Sequence, residues 1–270
     1  METTTIIGYV ALIASIFFGI TFGEGELNFD LIMNFISLPS ILITIGGTCF
    51  ALLASIPFKY FKKMPKHFRM VFTKDKKDPY EYVEIITELS KEARKKGLLA
   101  LEDKAYTFED EFLRESVLLI VDAIEPDKLK IWFEQKLDLI TRRNQEELKI
   151  YEQGAAFGPA FGMLGTLIGL INMLKSMDLE NGAEFLGQSM SVALITTFYG
   201  SLIANAFFSP MANKLEIAQQ NEMLIKELIA EGVISIKEGE NPRYIQEKLL
   251  NYIEYKKEAE DTEELLDSIN

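Results

Sequence analysis

The chain of 270 residues has one cysteine, one histidine and one tryptophan. A single thiol, Cys49, closes no internal disulfide, so no oxidised scaffold is implied. A single histidine, His67, builds no metal centre, and its place in a basic run predicts a surface side chain. No P-loop and no nucleophile elbow is present, so the sequence offers no phosphate cradle and no activated serine. The chain is read as a non-enzyme with no cofactor. The most informative shortage is of charge. Residues 3–23, 31–58, 153–174 and 185–213 contain no Asp, Glu, Lys or Arg. A bilayer core of about 30 Å needs about 20 apolar residues in helix, and soluble chains seldom leave such gaps. Four such windows, in a chain otherwise dense in charge, predict membrane helices rather than buried helices of a soluble all-α protein.

The fold class expected is therefore an all-α membrane protein with four transmembrane helices. Residues 1–58 hold the first two helices, 59–152 a helical cytoplasmic domain, 153–213 the last two helices, and 214–270 a cytoplasmic helix and acidic tail. The net charge of −13 becomes informative only when sorted by segment. Of 28 Lys and Arg, 27 lie outside the two short connectors at 24–30 and 175–184. Orientation follows Lys and Arg near helix ends, so Lys59, Lys62, Lys63, Lys66 and Arg69 place the insertion inside the cell. Four crossings then leave both termini cytoplasmic. The first window lacks a basic n-region and reads as a permanent helix rather than a cleaved signal. Part of 29–38 is open to a second reading, as a short interfacial helix. Apolar spacing at Tyr82, Val83, Ile86, Leu89 and Ala93 predicts a helix over 79–96. Pro126 predicts the start of another. The acidic end, 253–270, reads as disordered or as a frayed helix.

Ion carriers usually place an Asp, Glu or His near mid-membrane. None occurs in these windows, so either the chain does not conduct or a partner helix supplies the carboxylate. The third window carries Gly154, Gly158, Gly162, Gly165 and Gly169 at intervals of three or four. Such a stripe of small residues lets another helix approach closely, and the surface is the one a partner helix would pack against. Pro159 interrupts the same helix and frees a carbonyl. Hydroxyls at Thr166, Thr196 and Thr197 either line a path or bond to carbonyls of their own helices.

The strings ARKKGLLALE at 93–102, GPAFGMLGTLIGL at 158–170, ALITTFYG at 193–200, SPMA at 209–212 and EGENPRYIQEKL at 238–249 occur in that order. With the two-plus-two arrangement of helices, they resemble the MotA-type stator subunits of the MotA/TolQ/ExbB family. That resemblance implies a flagellar stator in the bacterial inner membrane. It implies a ring, a pentamer around two copies of a MotB-type subunit whose helix carries the ion-binding Asp. It further implies an ion path lined at Thr166 and Thr197, with Thr196 beside them, and gated at Pro159 and Pro210. The transported ion would be H+, with Na+ possible. Arg94 and Glu102, with Lys95 and Asp103 beside them, match the charges that face the rotor protein FliG. Two rivals stand beside this reading. An ExbB- or TolQ-type energiser has only one helix before its large insertion. A non-conducting four-helix scaffold would explain the glycines equally well.

Overall fold

A computed structural model describes the backbone of residues 3–23, 26–73, 77–176 and 182–267, and the side chains of 4–22, 26–73, 77–175 and 185–256. Among the described residues the regular structure is helical apart from a two-stranded ribbon that pairs Phe22 with Leu27 and Gly23 with Glu26. Among the described residues, four helices are long and apolar enough to cross a membrane. The chain divides into two compact units, Met1–Asp75 with Gln145–Ala218, and Lys76–Asn144 with Gln219–Asn270.

The first unit contains the uncharged segments. The first span, Thr4–Thr21, has little of its surface covered by its own chain. A 3-10 helix, Phe29–Phe35, follows the ribbon, so the stretch open to two readings is indeed a separate short helix. The second span, Leu38–Ser55, starts at Ser37, whose side chain caps Ser40 N–H, with Pro39 in the first turn, where a missing donor costs nothing. It carries a π-helical segment at Leu42–Gly46. The third span belongs to the helix Pro126–Ser176. The fourth begins at Gly182, passes through a second π segment at Ala204–Phe208 and continues as Ser209–Glu238. Pro210 has no N–H to give the preceding turn, and the wider π turn lies directly before it.

The second unit is a water-phase helical domain. Its core joins Val83, Ile86 and Leu89 of the helix Pro79–Lys96 to Leu113, Val117 and Ile120 of Glu111–Val121. Leu129 and Phe133 add to it, as do Leu228, Ile229 and Val233, and Ile245, Leu249 and Ile253 of the last helix, Pro242–Asp267. The insertion and the C-terminal segment, expected as separate parts, thus fill one core. Gly232 is part of the reason, since a Cβ there would stand 2.5 Å from Ile86. Of the two readings of the acidic end, disorder and a helix, the helix is the one present as far as Asp267. Ile253 is fully buried, and Tyr252 and Lys256 both reach Glu227. Residues 268–270 lie outside the described residues, as do residues 177–181 of the second connector.

Asp110 organises one end of this domain. Its carboxylate caps the helix Glu111–Val121 by accepting from the N–H groups of Phe112 and Leu113, 3.0 and 3.1 Å away. It also accepts from Lys77 at 2.6 Å and from the Tyr82 hydroxyl at 3.0 Å. Burial pushes this carboxyl up, but Lys77 and the Leu113 N–H outweigh burial and hold it below the usual range. Burial and the neighbouring carboxylate push the Tyr82 phenol up to about 12.

Candidate ion-pathway site

The five glycines of the third span meet the fourth span of the same chain. A Cβ at Gly154 would stand 2.3 Å from the ring of Phe208, and one at Gly165 2.5 Å from Thr196 Cβ. At Gly158 and Gly162 it would come within 3.0 Å of the carbonyls of Gly200 and Thr196. At Gly169 it would stand 2.7 Å from the Ser189 carbonyl. Gly200 answers from the opposite side, where a Cβ would be 2.6 Å from the Gly158 carbonyl. The expectation that a partner's helix packs on this stripe is therefore corrected. The stripe is consumed inside the chain, because two backbones separated by no side chains leave no room for a third helix.

The second span, for which no site residue was expected, locks onto the same pair. Gly47 lies against the Phe161 ring. The buried Thr44 hydroxyl donates to the Thr196 carbonyl at 3.3 Å, and Thr48 donates to the Thr44 carbonyl at 2.7 Å. Ser40 reaches the Val192 carbonyl at 3.5 Å. The Tyr199 hydroxyl donates to the Phe35 carbonyl. The usable signal was Ser40, Thr44 and Thr48, at i, i+4 and i+8 in an uncharged window, which marks one polar stripe.

Thr196 is fully buried; its hydroxyl donates to the Ala193 carbonyl at 2.9 Å and its side chain covers Gly165. The expectation that Thr196 lies on the path beside Thr197 is corrected, since consecutive residues on a helix point about 100° apart. Thr166 and Thr197 are brought together, with their hydroxyl oxygens 2.6 Å apart. Thr166 is also 3.2 Å from the Gly162 and Ala193 carbonyls, and Thr197 is 3.3 Å from the Ala193 carbonyl. Each hydroxyl has one proton and two acceptor sites. The chain can therefore run Thr166 to Thr197 to Ala193, or Thr197 to Thr166 to Gly162, and either direction satisfies the backbone. Both orders leave acceptor capacity over. This pair supplies neutral oxygens that can order water or replace part of a cation's hydration, and it does not titrate near neutrality.

Pro159 is exposed on the same helix and deprives the Ala155 carbonyl of its ladder partner. Met163, Leu167, Leu194 and Thr197 are exposed as well, with Thr166 half-buried, and no ionisable residue is among them. Pro210 is half-buried, at the end of the π segment.

His67 differs most from expectation. It is buried, not a surface residue: its Nδ1 lies 3.2 Å from the Tyr151 hydroxyl and its Nε2 2.9 Å from a Glu147 carboxylate oxygen. Lys63 pairs with the same carboxylate, and Tyr60 donates to Glu146. Burial pushes the imidazole below its usual range, against the pull of Glu147.

In the water-phase unit, Arg94 and Lys95 are exposed in the last turn of Pro79–Lys96, where basic charge suits the helix C-terminus. Gly97 follows with φ +86°, a conformation that side chains with a Cβ rarely adopt. The chain then turns through Leu98–Leu101 into Glu102–Ala105, with Leu101 and Ala105 fully buried and Glu102 and Asp103 exposed. Glu92 pairs with both Lys96 and Lys104, tying the basic end to the acidic turn. Among the described residues, Arg94, Lys95, Glu102 and Asp103 make no ion pair. Leu99, between the two clusters, is 74% exposed, a feature that the charge pattern concealed.

Residues 104–228 match the MotA/TolQ/ExbB proton channel family, and residues 6–97 match the Motility protein A N-terminal family. The uncharacterized protein YtxD of Bacillus subtilis is 35% identical over 91% of this chain and 88% of its own length. Motility protein A of Treponema pallidum is 34% identical over 98% of this chain and 99% of its own. Chemotaxis protein PomA of Vibrio alginolyticus is 31% identical over 98% of this chain and all of its own length, 100%. The flagellar MotAB stator complex of Bacillus subtilis matches with a TM-score of 0.81 at 30% identity, covering 96% of this chain and 99% of that one. C. jejuni MotAB matches with a TM-score of 0.81 at 28% identity, covering 93% and 96%. The chain belongs to the MotA/TolQ/ExbB family.

Proposed function

We propose that the chain is a flagellar motor stator subunit that, with a MotB-type partner, forms an ion channel and converts ion flow into torque on the rotor. Relatives named Motility protein A and PomA, and solved MotAB stator complexes, support this reading. The observation that carries it is the exposed face with Pro159 and the Thr166–Thr197 hydroxyl pair, which has polar oxygens and no ionisable group. Such a face can pass an ion only beside a carboxylate from elsewhere. The partner's Asp supplies it, and the partner's helix docks on this face rather than on the glycine stripe.

In this mechanism the freed Ala155 carbonyl and the two hydroxyls replace hydration as the ion moves to and from the Asp. Reversible direction in the hydroxyl chain suits H+, and the neutral oxygens also suit Na+. Thr196 and the five glycines hold the third and fourth helices at the separation that sets the hydroxyl distance. Pro210, after its π turn, gives the fourth helix a place to bend. The subunits form a pentameric ring around two partner chains in the inner membrane, with both termini cytoplasmic. Arg94, Lys95, Glu102 and Asp103, with Leu99 among them, face FliG, where complementary charge sets register and on-rate.

The test is expression in cells without stators, with and without a MotB-type partner. Motility and ion conductance are expected only with both chains. Full conductance by this chain alone, or no motility with any MotB-type partner, would overturn the reading. Conductance with the partner but no rotation would transfer the chain to the energiser class.

A further inference from the structure

We propose that the basic segment directly after the second span is a collar that binds anionic phospholipid headgroups. The segment 59–69 contains Lys59, Lys62, Lys63, Lys66 and Arg69 and no acidic residue, in a chain whose net charge is −13. Setting membrane orientation alone would account for that composition. The folded arrangement adds depth, availability and interfacial side chains.

Depth is set by contacts at the ends of the spans. The helix Met64–Phe72 is pinned to the third helix through His67, which meets Glu147 and Tyr151. These residues precede the uncharged window at 153–174 by six and two positions. At about 1.5 Å per residue they stand roughly 3–9 Å beyond its edge. That is the depth of the headgroup layer, since headgroups add about 5–8 Å to each side of the hydrocarbon core. Two ring contacts agree. Phe72 lies 5.7 Å from Tyr9 near the start of the first span, and Phe68 lies 5.8 Å from Phe207 near the end of the fourth.

Availability follows from pairing. Lys63 is taken by Glu147. Lys59, Lys62, Lys66 and Arg69 are exposed, and among the described residues none of them forms an ion pair. Met64, His67 and Val71 occupy the inner face of the helix, so Lys66 and Arg69 stand on the outer one, and Lys59 and Lys62 are exposed in the turn that precedes it. Phe58, 64% exposed, and Phe68, 40% exposed, are interleaved with them. Aromatic rings at headgroup depth, with cations beside them, suit a lipid surface better than an acidic protein, which would need its own apolar sockets at that depth.

The test uses the full chain in bilayer discs of mixed phosphatidylglycerol and phosphatidylcholine. Lipids retained on purification are counted by mass spectrometry at low and high salt. Wild-type protein should retain phosphatidylglycerol enriched at least about fivefold, the factor one basic residue contributes near an anionic surface. Raised salt should reduce the enrichment. The variant K59Q/K62Q/K66Q/R69Q should lose it, and K59R/K62R/K66R/R69K should keep it. A control of equal charge change in the other unit, K91Q/K128Q/R142Q/R243Q, should also keep it. Equal retention of the two lipids by wild type would overturn the proposal, as would enrichment indifferent to the collar or lost equally in the control. Displacement by inorganic phosphate beyond that by chloride of matched ionic strength would mark a phosphate site instead. Collar-dependent binding of a polyglutamate peptide without lipid enrichment would assign the surface to an acidic protein. A thiol introduced at Asn28 reports whether each variant keeps its orientation.

Discussion

The seam between the third and fourth spans and the core of the water-phase unit solve the packing problem by opposite means. In the seam, Gly158 and Gly200 face each other and backbone meets backbone. In the water-phase core, Val83, Ile86, Leu89, Val117 and Leu228 fill the space with branched side chains. Lipid tails are as apolar as leucine, so burying leucine gains little between membrane helices, and close approach with hydroxyl-to-carbonyl bonds does the holding. In water the gain comes from apolar area removed from solvent, about 25 cal/mol per Å2. Overfilling should therefore break the first region, and emptying should break the second.

The largest effect is expected from Gly200→Val, because the added side chain meets the Gly158 carbonyl and backbone gives way least. Overpacking against side chains that can shift costs about 1–3 kcal/mol, and here the opposing atoms are backbone, so the cost is larger. The yield of monodisperse protein in detergent should collapse, and Gly165→Leu, opposed by the Thr196 side chain, should follow it. Wild-type yield and melting temperature for Gly200→Val would show that the seam is not closed as described. Ile86→Ala empties a fully buried site. It should cost about 2–5 kcal/mol, read as a lowered thermal or urea midpoint. An unchanged midpoint would mean that the two segments sharing this core do not depend on each other.

Asp110→Ala should cost about 1 kcal/mol for the lost cap. The sign of its pH dependence follows from the depressed folded-state pKa. The stabilisation is present above the unfolded-state carboxyl pKa and is lost as pH falls through the lower folded-state value. Acid titration of the melting temperature should show that contribution in wild type and not in the variant. Identical acid slopes would remove Asp110 from the account.

Pro159→Leu and the rotor-face charges test function with little change in stability. Pro159→Leu restores a helix hydrogen bond, so the protein should assemble normally while motility and conductance vanish. Normal swimming would remove Pro159 from the path. Arg94→Glu and Glu102→Lys alter exposed side chains and should shift stability by no more than about 0.5 kcal/mol. Each should nonetheless impair rotation of tethered cells under load, the double reversal more so, with conductance intact. Rescue by charge-reversed FliG would fix the contact. Normal rotation by both neutral variants, with no rescue of either reversal, would leave these charges as solvated surface.

His67 shows how a local reading fails. The flanking lysines point to the surface, but Met64, His67 and Val71 share one helical face, and that face is inside. The periodicity was legible; the partners were not, since Glu147 and Tyr151 lie about 80 residues further along the chain. The glycine stripe failed differently. Its spacing announces close approach and cannot name the helix that approaches, because every small-residue face accepts any other. Thr196 and Thr197 are adjacent in the string, and only the rotation of their helix separates a packing hydroxyl from an exposed one.

The sequence by itself determined the membrane architecture, because hydrocarbon excludes charge and four uncharged windows leave a chain few alternatives. It also placed the start of the long third helix at Pro126, where a missing donor costs nothing. Only the tertiary structure decided which helices share a seam, which threonine is exposed, that His67 is buried, and that the insertion and C-terminal segment fill one core. Those are matters of pairing between distant segments. Pairing is set by the summed fit of many side chains, which no single segment of the string contains.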